Sequence, residues 1–283
     1  MKTLFVSDLD GTLLGENAVL SDYTRGTINR LVEDGMYFTY ATARSHRTAA
    51  IVLEGLKCSA PAVTHNGGFL TDPTDGTVME LSGFTDGEAA FARSIFDEYG
   101  MSPFVYALFG EITLPCRVEE RMSWVEGTET PGMVHFMEAH AGDPRMNPAA
   151  DRETMYAGRH FYYNLIDTKE RLDKVAARLA EHPGFYYTLQ REIYDPEDFW
   201  LEIMPVHATK AEGLRRLKEK YGFDRVVCFG DAMNDMTMFD AADEAYAMAN
   251  GADALKAKAT AVIGDHREDG VARWLLEHWR DYK

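Results

Sequence analysis

Short, largely apolar runs alternate with stretches of helical periodicity at both ends of this 283-residue chain, and that rhythm limits the fold more than any other feature. Residues 3–7 form a first apolar run, and 23–34 carry Ile28, Leu31 and Val32 at helical spacing before Gly35. Residues 36–41 are a second run, Ser45 stands where it could cap a helix reaching about residue 56, and 61–64 are a third run before the turn signal Asn66-Gly67-Gly68. The C-terminal third repeats the pattern, with helical stretches at 211–221, 235–240 and 270–279 and apolar runs at 225–229, 244–248 and 260–263. Runs without polar alternation predict strands buried on both faces, which happens when helices cover both sides of a parallel sheet. Strand–helix alternation with right-handed crossovers then predicts an α/β, doubly wound, Rossmann-like domain.

The middle of the chain breaks this rhythm. Two similar aromatic stretches, Phe161-Tyr162-Tyr163-Asn164-Leu165 and Phe185-Tyr186-Tyr187-Thr188-Leu189, flank a helical segment at about 168–181. They predict an α+β domain at 85–203 inserted into a discontinuous core of 1–84 and 204–283. A chain of this length holds about two domains at roughly 150 residues each.

Charge narrows the partners. Lys and Arg number 29 against 46 Asp and Glu, a net charge of −17. Nucleic acid and anionic membranes are bound chiefly by neutralising phosphates with Lys and Arg, so neither is expected. A phosphate ligand would need a small local cluster of donors. The longest apolar run, residues 104–109, is far short of the roughly 18 residues of a membrane span. Asp8 and Asp10 interrupt the first apolar run, which argues against a signal peptide. The three scattered cysteines, Cys58, Cys116 and Cys228, suit a reducing compartment, and the expected location is the cytoplasm.

The acidic clusters fall where such a sheet places ligands. Asp8-Leu9-Asp10-Gly11-Thr12 follows the first run directly, and Gly230-Asp231-Ala232-Met233-Asn234-Asp235 follows 225–229. Ligands bind beyond the carboxyl ends of parallel strands. Carboxylates gathered there are costly without a cation or proton between them, and an all-oxygen donor set favours a hard ion such as Mg²⁺. Alone, the second cluster also reads as a helix N-cap. Thr42 ends the second run in Ala41-Thr42-Ala43-Arg44, and Arg44 reads equally as a substrate contact or a cap. Thr209-Lys210-Ala211-Glu212 fits a capping box and puts Lys210 in a first helical turn. A cation there opposes the helix dipole by about 0.3–1 kcal/mol, and an anion held at the same end reverses the sign. Cys228 reads as core, and His135 and His140 lack a zinc pattern.

Asp8-Leu9-Asp10-Gly11-Thr12, Thr42, Lys210 and Gly230-Asp231 through Asn234-Asp235 resemble, in order, the four motifs of the haloacid dehalogenase superfamily. The insert between Thr42 and Lys210, with Asn66-Gly67-Gly68, resembles the Cof-type branch of phosphatases with an α/β cap; Ala43 stands where that branch usually has glycine. The resemblance implies Asp8 as nucleophile and Asp10 as general acid and base, with Mg²⁺ held by Asp8, the Asp10 carbonyl and Asp231, supported by Asp235. It implies a phosphate cradle of the Leu9 and Ala43 amides, Thr42, Lys210 and Asn234. The expected activity is Mg²⁺-dependent hydrolysis of small phosphorylated metabolites, sugar phosphates foremost, through an aspartyl-phosphate. A phosphomutase or phosphotransferase on sugar phosphates and a non-catalytic phosphometabolite-binding regulator are the alternatives. Tyr162, Tyr163, Tyr186 and Tyr187 are candidate specificity residues, of which strand alternation lets one of each adjacent pair face a substrate.

Overall fold

The computed structural model describes residues 1–191 and 198–283, and they form two compact units: Met1–Leu81 with Thr209–Lys283, and Ser82–Ala208. The first unit is built on a five-stranded, all-parallel sheet in the order Ala261–Ile263, Glu244–Met248, Arg225–Gly230, Thr3–Ser7, Tyr37–Tyr40. Every residue of Thr3–Ser7 is buried. Phe5 and Phe229 pack on one side with Ile28, Leu31 and Trp274, and Leu4, Val6 and Cys228 on the other with Leu214, Leu217 and Met238. Burial on both faces explains the absence of polar alternation in these strands. The chain begins in the middle of the sheet, runs to one edge, and later resumes on the opposite side. Thr3–Ser7 and Arg225–Gly230 therefore flank the topological switch point.

Helix boundaries follow local chemistry. Ser21 accepts from the Thr24 amide at 2.9 Å and starts Asp22–Glu33, a cap of the kind that contributes about 1 kcal/mol. Ser45 likewise caps His46–Val52, which stops short of the expected residue 56 because Gly55 takes φ +78. Lys210–Tyr221 is capped by Thr209, whose side chain accepts from the Glu212 amide, and ends in left-handed Gly222. Only this half of the expected capping box forms, since the Glu212 carboxylate pairs with Arg215.

The third apolar run meets the parallel sheet in the expected parallel direction, but only briefly. Ala62–Thr64 joins it by the single bridge Ala41 to Val63 and pairs antiparallel with Phe69–Thr71, which pairs antiparallel with Val78–Leu81. The cause is local: His65, Asn66 and Gly67 take φ values of 50, 54 and 112 and reverse the chain before a helix can start.

The second unit is a six-stranded sheet in the order Phe185–Arg191, Asp198–Pro205, Arg159–Thr168, Phe104–Phe109, Glu119–Val125, Met146–Ala149, antiparallel except for the last pair. Helices Asp86–Glu98 and Lys169–Leu179 cover the face that carries Val105, Tyr163, Leu165, Leu201 and Ile203. Register sorts the four tyrosines. Tyr163 is in this core, stacked on Phe84 and edge-on to Phe96, and Tyr187 packs against the same cluster. Tyr162 and Tyr186 lie on the other face, where the Tyr162 hydroxyl donates to Glu202.

Candidate active site

Parallel register alone brings the two acidic clusters together. Ser7 pairs with Phe229, and the Asp8 amide continues the ladder by donating to the Phe229 carbonyl at 2.9 Å. Asp8 and Asp231 are thus each the first residue beyond neighbouring strands, which lie at a spacing of roughly 4.8 Å. Carboxylate oxygens of Asp8, Asp231 and Asp235 all lie within 4.8 Å of one another. On the other side, Ser7 pairs with Tyr40 and accepts from the Ala41 amide, so Thr42 leaves the sheet at the same edge.

Glycines allow the loops to close on each other. Gly11 has φ +76, and a Cβ there would stand 2.4 Å from Asp231 Oδ2. Beyond it, the Thr12 hydroxyl donates to Asp231 Oδ1 at 2.7 Å. Asp235 folds back beneath its own loop, where its Oδ2 accepts from the amides of Asp231 and Ala232 at 2.9 and 3.1 Å.

Lys210 is the cation of the cluster. It arrives at the start of its helix, 1% exposed, and donates to Asp8 Oδ1 at 2.5 Å and Asp235 Oδ1 at 2.7 Å. Burial opposes its charge, but Asp235 and Asp8 outweigh burial and raise its pKa. Lys210 bonds two of the three clustered carboxylates, Asp8 and Asp235. Burial pushes Asp8 well above the usual carboxylate range, against the pull of Lys210 and reinforced by Asp235 and Asp231. Burial likewise pushes Asp231 up to about 6 despite the Thr12 hydrogen bond. A divalent cation among these oxygens removes that penalty, so the donor set fits a hard ion such as Mg²⁺.

The remaining predicted residues are placed as follows. Leu9 and Ala43 follow Asp8 and Thr42 in their turns. The Thr42 hydroxyl accepts from the Arg44 amide at 3.1 Å, and the Thr42 carbonyl accepts from the Asn66 amide at 2.9 Å. The half-exposed Asp10 carboxylate is held by a two-pronged pair with Arg44, Nε to Oδ2 at 2.7 Å and an Nη to Oδ1 at 2.6 Å. Arg44, undecided in the sequence, is therefore the partner of Asp10. Asn234 Nδ2 approaches Asn66 Oδ1 at 3.4 Å. Cys228 is buried core, as expected, and burial pushes its thiol well up.

Two residues at this edge went unread. Asn250 donates to the Gly11 carbonyl at 2.8 Å while its Oδ1 accepts from the His266 amide at 3.1 Å. The neighbouring Ala252 amide holds the Asp231 carbonyl at 2.8 Å, so this loop ties the two acidic loops together. Its signal was its place, two residues after the strand Glu244–Met248, at the edge where the acidic loops also leave the sheet. Asn66 was read only as a turn residue.

The model of the haloacid dehalogenase-like hydrolase family matches residues 5–275. The chain is 28% identical over 286 residues to the 5-amino-6-(5-phospho-D-ribitylamino)uracil phosphatase YitU of Bacillus subtilis, with 98% of this chain and 97% of that protein covered. It is 26% identical to the pyridoxal phosphate phosphatase YbhA of Escherichia coli, with 96% of each covered. Among solved structures, TM0651 from Thermotoga maritima superposes with a TM-score of 0.75 at 25% identity, over 98% of this chain and 97% of that one. With a match that spans nearly its whole length, the chain belongs to the haloacid dehalogenase-like hydrolase family.

Proposed function

We propose that this protein is a Mg²⁺-dependent phosphomonoesterase of small phosphorylated metabolites, with Asp8 as nucleophile. The observation that carries the reading is the Asp8 carboxylate at the switch point, bound by buried Lys210 and within 4.8 Å of Asp231. An anionic nucleophile meets an anionic phosphate only where cations lie between them. Asp8, the Asp10 carbonyl and Asp231 would hold Mg²⁺, and Asp235, with both oxygens engaged, positions Lys210 and the Asp231 loop. Bound there, the metal would neutralise phosphoryl charge as a Lewis acid.

Asp8 forms the bond to phosphorus as the ester oxygen departs with a proton from Asp10. Asp10 then takes a proton from water, which attacks the aspartyl-phosphate and releases Asp8 and inorganic phosphate. Arg44 holds the Asp10 carboxyl in place through two hydrogen bonds. The Leu9 and Ala43 amides, Thr42, Lys210 and Asn234 carry the phosphoryl oxygens. By the family resemblance the inserted segment, residues 85–203 by sequence, is a cap, and Tyr162 and Tyr186, outside its helix-covered core, are its candidate specificity residues.

The relatives' names pair a phosphorylated ribityl chain with pyridoxal phosphate, so both belong in a substrate panel beside sugar phosphates. The test is phosphate release from p-nitrophenyl phosphate and this panel, with Mg²⁺ or EDTA, beside Asp8→Asn. Release that needs both Mg²⁺ and Asp8 is expected. No release from a folded chain on any compound refutes it, and transfer to a second sugar hydroxyl in place of water makes the protein a mutase.

A further inference from the structure

Asn66 is a buried side chain with a donor and no acceptor. It is 3% exposed, and its Nδ2 has no hydrogen-bond partner among the described residues. Its Oδ1 receives the long 3.4 Å contact from Asn234, whose own Oδ1 is also buried without a partner among the described residues. Two amides abut with a donor of one and an acceptor of the other unmet. A buried polar group costs most when it is left unpaired, so such a pair marks a position that a ligand completes.

The backbone holds Asn66 in place. Its amide donates to the Thr42 carbonyl at 2.9 Å, and it takes φ +54 in a turn closed by Gly68 N–H to the His65 carbonyl at 2.9 Å. Next to it, a Cβ on Gly67 would lie 2.0 Å from the Thr209 carbonyl oxygen, so the turn is pressed onto the residue before Lys210. Asn66 thus touches Thr42 and Asn234 and sits against the start of the Lys210 helix, three elements of the proposed phosphate cradle. Each has a hydroxyl, amide or ammonium to offer an oxyanion.

We infer that Asn66 is a further phosphoryl-binding residue, its Nδ2 donating to a non-bridging oxygen of the phosphate ester. The contact with Asn234 leaves that residue's second N–H for the same anion, so the two amides act as a paired donor. This rests on the phosphatase reading above.

Asn66→Gly keeps the left-handed backbone and removes the amide, while Asn66→Asp keeps the size and replaces the donor with a negative charge. For p-nitrophenyl phosphate, Asn66→Gly is expected to raise KM at least tenfold with a smaller fall in kcat. The inhibition constants of inorganic phosphate and orthovanadate rise in parallel, and Asn66→Asp exceeds Asn66→Gly in both. Thermal unfolding confirms that both variants fold. Inhibition constants within twofold of wild type in both overturn the inference, and so does a fall in kcat alone, which makes Asn66 a structural brace. A wild-type chain without Asp8-dependent release sinks the phosphatase reading separately. Calorimetry with inorganic phosphate on the Asp8→Asn chain, with and without Asn66→Gly, then decides Asn66: weaker binding on loss of the amide supports it, and equal binding overturns it.

Discussion

Lys210→Met is the sharpest test of the electrostatic argument, because it removes the charge and keeps most of the volume. The ammonium is 1% exposed and lies 2.5 and 2.7 Å from two carboxylates that are themselves buried. Truncating one partner of such a group leaves uncompensated charge and costs about 3–5 kcal/mol. At about 2–4 °C per kcal/mol for a unit of this size, the metal-free midpoint falls by roughly 10 °C. The loss depends on pH in a definite direction. Asp8 already binds its proton more tightly folded than unfolded, and Lys210 is the group that pulls it back down. Without Lys210 the folded carboxylates bind protons more tightly still. The folded variant then holds protons that the unfolded chain has released, and its stability falls as pH rises, by up to about 1.4 kcal/mol per pH unit for each proton.

The gap between wild type and variant should therefore widen from pH 5.5 to 7.5 in EDTA. Urea unfolding read by tryptophan fluorescence measures it, since Trp274 and Trp279 lie in the core of this unit. Saturating Mg²⁺ should stabilise the variant more than the wild type, because it restores a cation beside bare carboxylates; occupancy at a hundred times the dissociation constant gives about 2.7 kcal/mol. Hydrolysis of p-nitrophenyl phosphate should fall about 10³-fold, the scale of losing a preorganised charge at the reacting centre. A destabilisation below about 1 kcal/mol at pH 7.5, or a gap that widens toward acid, refutes the reasoning.

Gly11→Ala puts a methyl group 2.4 Å from Asp231 Oδ2 at φ +76, so Asp231 must move. A Mg²⁺ titration of activity should show a higher half-saturation, and unfolding a loss of about 1–2 kcal/mol from the left-handed backbone alone. Thr12→Val deletes the 2.7 Å donor to Asp231, whose carboxyl, now at about 6, shifts further up. Protons then compete better with metal, and for a rise of about one unit Mg²⁺ half-saturation should worsen about threefold more at pH 6.5 than at pH 8.5. Asn250→Ala frees the Gly11 carbonyl from its 2.8 Å bond and should weaken Mg²⁺ binding several-fold by calorimetry, while substrate ranking stays unchanged.

What the sequence made legible was short-range and costly. Asp8 and Asp231 each follow a strand directly, and unpaired carboxylates at adjacent strand ends need a cation wherever they occur, so the cluster could be inferred from position. Asn66 and Arg44 depend on contacts that no local pattern encodes. Arg44 meets Asp10 across 34 positions, and Asn66 meets Asn234 across 168. The third apolar run was legible as a strand parallel to the second, but the antiparallel strands after it were not, because three consecutive positive φ values reverse the chain at 65–67. Lys210 shows how a local penalty points to a distant partner. A lysine that opens a helix stands against the dipole, and the expected remedy was an anion at that helix end. Asp8 and Asp235, 202 and 25 positions away, already supply it. In a chain of net charge −17 the field around this edge disfavours any further anion. Lys210 and a divalent cation together would offset the carboxylates of Asp8, Asp231 and Asp235, so a phosphate should bind with or after the metal and not ahead of it.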